Sequence, residues 1–112
     1  RHRRATQAGM KAMGMPLYAA EGHGSPAITA VAPEGIDAES LRKKVKERFD
    51  ILLAGGQDHL KGKVFRIGHL GFVCDRDVLT AVAAIEATVQ GLGLAKTPTG
   101  SGVAAAAAEL AK

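Results

Sequence analysis

Arg66 interrupts the apolar run in GKVFRIGHLGFV (62–73), a segment punctuated by glycines. In extended backbone successive side chains alternate faces, which puts Val64, Arg66 and Gly68 on one side and Phe65, Ile67 and His69 on the other. A guanidinium is permanently charged and presents a planar fork of donors, a shape matched to a carboxylate or a phosphate. Anion recognition is therefore the chemistry this segment offers, with a salt bridge internal to the sheet as the plain structural alternative. Two glycine-rich spots, GHG at 22–24 and Gly55-Gly56 followed by Gln57, can each either turn the chain or cradle an anion. Neither has the flanking pattern of a dinucleotide fingerprint or a P-loop.

Other reactive side chains are scattered. His2, His23, His59 and His69 fall in different segments without zinc-site spacing, so no metal site is expected. The single cysteine, Cys74, rules out an intramolecular disulfide and an iron–sulfur cluster held by this chain alone, and lies in no nucleophile signature. A reducing cytoplasm fits that usage. No apolar run approaches the roughly 20 residues of a membrane span, and no signal-like segment opens the chain. The formal charge of +4 is divided among Arg1–Arg4, the stretch 42–48 and the Lys61/Lys63 turn, and with three Phe, one Tyr and no Trp there is little to stack bases on. Nucleic-acid and membrane partners are not expected.

The elements that must position Arg66 follow from periodicity. A basic helical segment runs to about Met13 and stops at Gly14 and Pro16. Residues 16–19 read as a short strand and 27–32 as a second, β-branched at alternate positions. Asp37 is a good N-cap for AESLRKKVKERF, where Leu41, Val45 and Phe49 make an apolar stripe and the charges a solvated face. ILLA (51–54) reads as a buried strand ended by Gly55-Gly56, and KVFRIG as the next. From Asp75, apolar residues at 78, 79, 82, 85 and 89 predict an amphipathic helix ended by Gly91 and Gly93. These 112 residues thus predict a two-layer α/β (α+β) small domain, a mostly antiparallel sheet of about four strands with helices on one face. Residues 1–96 are its expected extent. Residues 97–112, broken by Gly, Pro and Ser and then rich in Ala, favour helix but have almost nothing to bury, and are expected to be a flexible tail, mobile or docked on a neighbour, whose removal costs under about 1 kcal/mol.

The succession SPAITAV (25–31), PEGID (33–37), LAGGQ (53–57) and LKGKVFRIGHLGFV (60–73), ahead of an acidic helix start, resembles the C-terminal small domain of class V aminotransferases. The resemblance covers about residues 1–93 and is closest to the alanine–glyoxylate, serine–glyoxylate and serine–pyruvate group, which includes sequences named as the small, tritium-exchange subunit of a soluble hydrogenase. Asp58 departs from the glycine common after the glutamine in that pattern. The resemblance implies a fold-type-I enzyme dependent on pyridoxal phosphate, with Arg66 receiving the substrate α-carboxylate and Gly55, Gly56 and Gln57 shaping a neighbouring loop. It also implies that the Schiff-base lysine and the partner of the pyridine nitrogen come from a large domain of the same chain. The present residues, opening on Arg1 rather than Met, are then expected to be a fragment that holds no cofactor and no catalytic residue and is inactive alone. The complete protein is expected to be a homodimer acting on small amino acids and 2-oxo acids. A hydrogenase-subunit role and an independent α/β ligand-binding or interaction module are the alternatives.

Overall fold

A computed structural model of the protein describes residues 2–18, 28–56, 62–68 and 74–112. Helix α1 (His2–Ala12) buries Ala5, Thr6, Gly9 and Met10 along one side, and Met13 and Met15 continue that apolar contact beyond its end. Strand β1 (Ile28–Val31) follows. Helix α2 (Ala38–Phe49) starts where Asp37 accepts hydrogen bonds from Ser40 N and Oγ at 3.1 and 2.8 Å. Those bonds, the hydroxyl first, hold the Asp37 carboxyl below the usual aspartate value. Leu41 and Val45 are fully buried, whereas Phe49, at the far end, is 39% exposed. Asp50 closes the helix in the left-handed region at φ 56°.

Strands β2 (Ala54–Gly55) and β3 (Phe65–Gly68) complete an antiparallel sheet in the order β1-β3-β2. The register sets Ala30 and Ala54 on either side of Arg66, and Val31 and Gly55 on either side of Phe65. Phe65 and Ile67 are buried in the core that Leu41, Val45, Val78, Val82 and Ile85 share, while Arg66 is half-buried. Helix α3 (Asp75–Gly91) begins beyond Cys74, whose N–H donates to the Asp77 carboxylate at 3.2 Å. His2 Nε2 lies 3.1 Å from Asp75 Oδ1, and Gly9 lies against Val82, so α1 and α3 run in the same direction.

The sheet differs from expectation in its length. Among the described residues it has three strands rather than about four. The expected strand at 16–19 is a single bridge, Leu17 to Val31, flanked by hydrogen bonds from Tyr18 N to Ala30 O and from Ala32 N to Pro16 O. Pro16 has no N–H to continue a ladder, and Ala19 lies outside the described residues. The run at 51–54 pairs only at its end, through Ala54 and Gly55.

The expected free tail is instead helix α4 (Ser101–Leu110), packed on α1 and α3 with Ala106 fully buried and Leu110 nearly so. Alanine brings little apolar surface to bury. Small residues nevertheless let backbones approach: a methyl group added at Gly9 would lie 3.1 Å from the Gly102 carbonyl, and one at Gly102 would lie 2.8 Å from Met13 Cγ. The start of α4 has no side chain of its own as a cap. Glu86 of α3, only 6% exposed, accepts from Gly102 N at 2.9 Å and from Val103 N at 3.4 Å. An interior carboxylate thus satisfies the amides that a helix start leaves without partners. At the other end Lys112 donates to Glu109, and that bond, followed by the charges of Lys112 and Arg4, lowers the Glu109 pKa. With Gly102 beside Gly9 and Glu109 under the influence of Arg4, α4 runs antiparallel to α1.

Candidate functional site

Arg66 occupies the central strand of the sheet, on the face opposite to Phe65 and Ile67. Its cross-strand neighbours on that face are both alanines, Ala30 on β1 and Ala54 on β2. Directly opposed residues of antiparallel strands share a face at about 5 Å, so small neighbours leave the long arginine side chain room to lie along the sheet. Its Nε–H donates to the Gly55 carbonyl at 3.1 Å. That bond ties the guanidinium to β2.

Gly55 is bound on both sides. Its φ is not among the positive ones, so its lack of a side chain answers a need for space and not for an unusual backbone. A Cβ at this position would lie 2.5 Å from Glu39 Oε2 and 3.0 Å from Arg42 Nε. Those two residues, three apart on α2, form a two-pronged ion pair: Arg42 Nε to Glu39 Oε2 at 2.8 Å and Arg42 Nη2 to Glu39 Oε1 at 2.6 Å. The bonded Glu39 carboxylate raises the Arg42 pKa against the opposing effect of burial. Gly56 extends the β2–β3 pairing, its N–H donating to Val64 O at 3.0 Å.

The residues singled out from sequence separate as follows. Arg66, Gly55 and Gly56 come together at the β2–β3 pairing, whereas Gln57 and Asp58 lie outside the described residues, as do His23, His59 and His69. Cys74 precedes the first residue of α3, and His2 pairs with Asp75 at that same helix start. Glu39 and Arg42 were missed, because the charges of α2 were read as a solvated face. The Glu39 side chain is only 14% exposed. Opposite charges at i, i+3 in the first turns of a helix facing a Gly-Gly strand end were the available signal. Among the described residues no group of three or more His, Cys, Asp or Glu side chains is placed to hold a metal ion. Nor is any helix there long and apolar enough to cross a membrane.

No family model matches the sequence. The soluble hydrogenase small subunit of Synechococcus sp. is 62% identical over 109 residues, which are 95% of this chain and 28% of that protein. An uncharacterized aminotransferase of Methanocaldococcus jannaschii is 41% identical over 108 residues, 93% of this chain and 28% of its own length. Among solved structures, the ureidoglycine–glyoxylate aminotransferase of Bacillus subtilis superposes with a TM-score of 0.88 at 34% identity, covering 99% of this chain and 29% of that one. The chain thus spans about 28% of the length of these two curated relatives.

Proposed function

We propose, from the premise that this chain belongs to the class V aminotransferases over the part of them that it spans, that it serves as the C-terminal small domain of a pyridoxal-phosphate aminotransferase. The enzyme moves an amino group between an amino acid such as alanine or serine and a 2-oxo acid such as glyoxylate or pyruvate. Arg66 receives the α-carboxylate that these substrates have in common. The observation carrying this reading is the placement of Arg66: central strand, two alanine neighbours, and a guanidinium held by the Gly55 carbonyl. Planar, pre-oriented donors suit a carboxylate received in two-pronged fashion.

The cofactor supplies an electron sink when bound. Its site needs a lysine shielded from water, and every described lysine, including Lys43, Lys44, Lys46 and Lys63, is exposed. None of them, in this reading, is the lysine that holds the cofactor. In this reading the large domain of the complete protein holds the cofactor, the complete protein is a homodimer, and the present piece is inactive alone.

The name of the Synechococcus relative favours a second reading, as part of a soluble hydrogenase. Hydrogen activation uses nickel or iron held largely by thiolates, and this chain has one cysteine. In that reading the chain works beside a subunit that carries the metal.

The test is Arg66→Ala in the full-length enzyme. Leaving a partly desolvated carboxylate without its counter-charge costs about 2 to 5 kcal/mol, or roughly 30-fold to several thousand-fold in kcat/KM for alanine or serine. Arg66→Lys restores only part of the loss, because an ammonium keeps the charge without the planar fork. The thermal midpoint should move little. An Arg66→Ala enzyme that transaminates at the parent rate, or one that unfolds, would sink the assignment.

A further inference from the structure

We infer that the Glu39–Arg42 ion pair is a positioning device for Arg66, acting through Gly55, a role that rests on the carboxylate-receptor reading and deepens it. The observations form a chain of contacts across the sheet. On the helix side, the paired side chains of α2 occupy the space a methyl group at residue 55 would need, with Glu39 Oε2 at 2.5 Å and Arg42 Nε at 3.0 Å from it. On the other side, the Gly55 carbonyl receives Arg66 Nε–H at 3.1 Å. Gly55 thus touches both.

Strand β2 needs such a support. Among the described residues it is an edge strand of two residues, paired to β3 through Ala54↔Arg66 and Gly55↔Phe65 plus the Gly56 N to Val64 O bond. An edge that short has little ladder to fix its position. A fork-to-fork pair is the most geometrically demanding ion pair the side chains allow. Seated directly on the Gly55 backbone, it limits how far β2 can lift or slide. The Gly55 carbonyl holds Arg66 Nε–H, so a fixed β2 holds the guanidinium in place at that point. A fork that is not held in place must be ordered when the carboxylate arrives, and that cost is taken from its binding. Glu39 and Arg42 touch no substrate in this scheme. They are positioning residues, and Gly55 is glycine so that they can close over it.

The experiment uses the full-length enzyme and four variants: Arg66→Ala as the reference for the reading itself, then Glu39→Gln, Gly55→Ala and the Glu39→Gln/Gly55→Ala double. Two quantities are read, the KM for alanine with saturating glyoxylate and the inhibition constant of propionate, which offers a carboxylate and no amino group. Glu39→Gln and Gly55→Ala are each expected to raise both by about 2- to 10-fold, the worth of one hydrogen bond. Their kcat should stay within about 2-fold of the parent, the pattern of lost binding rather than lost chemistry. The double variant is expected to be no worse than the poorer single one, because both changes break one linkage. A purely structural staple would shift the thermal midpoint and leave the propionate constant alone. If Arg66→Ala weakens propionate while both single variants bind it like the parent, or if their effects multiply in the double, the positioning role is overturned and the reading of Arg66 survives. If Arg66→Ala itself leaves propionate binding unchanged, the reading fails and the inference with it. Should Gly55→Ala fail to fold, Glu39→Gln alone decides, since it keeps the volume of the side chain and one acceptor oxygen.

Discussion

A buried acid can be structural as well as catalytic, and Glu86 illustrates the distinction. Its carboxylate takes two amides from the start of α4 and lies away from the sheet that carries Arg66. Glu86→Ala should lower the unfolding free energy by about 1 to 3 kcal/mol, the cost of leaving buried donors without an acceptor. Glu86→Gln, which keeps one carbonyl oxygen for Gly102 N, should lose less. Urea unfolding followed by circular dichroism measures both, and equal midpoints for the alanine variant and the parent would contradict the capping role. At this scale Arg66 was legible because alternation along a strand is a property of the backbone itself. The partners of Gly55 were not. A glycine pair announces a turn or a close approach without saying what approaches, and charges on a helix look solvated until the facing strand is known.

Among the elements, α2 and α3 were readable to within a residue or so, since each has an apolar stripe of helical period, behind the Asp37 cap in α2 and an acidic start in α3. The strands were less so. Pairing lengths of two to four residues depend on partners far along the chain, and an apolar run such as 51–54 can serve the core without joining a ladder. The cap of α2 also has a pH signature. The Asp37 carboxyl titrates below its usual value because Ser40 donates to the ionised form. A depressed folded-state pKa contributes stability that is complete above the unfolded-state value and is lost as pH falls through the folded-state one. Acid unfolding of the parent should therefore show an Asp37-dependent component on the acidic side of the ordinary aspartate range. Asp37→Asn, which retains an acceptor oxygen without a titrating charge, should flatten that component. Unfolding midpoints collected from neutral pH into that acidic range test it, and an unchanged slope would count against the cap as its source.

For the molecule as a whole, the largest departure from the sequence reading is α4, and it reverses an expected outcome. Removing residues 97–112 uncovers Met13, the side of α1 at Gly9 and the Glu86 carboxylate, all of them buried. The loss should exceed about 2 kcal/mol, in the range of core truncations, instead of staying under about 1. A thermal midpoint equal to that of the parent would restore the view of a free tail. Composition hid this because helix-to-helix contacts made by glycine and alanine give no hydrophobic stripe to read; their contribution is close approach, visible only when the opposing helix is in place. The direction of that packing has a mechanical consequence. Because α4 returns antiparallel along α1, the start of the first helix and the end of the last one lie at the same end of their shared seam. Tension applied between those two points loads the contacts one after another, as in opening a zipper, rather than all together as in shear. The seam can hold the fold firmly against heat and still part under a small pulling force, beginning near Arg4 and Glu109 and reaching Gly9 and Gly102 only later.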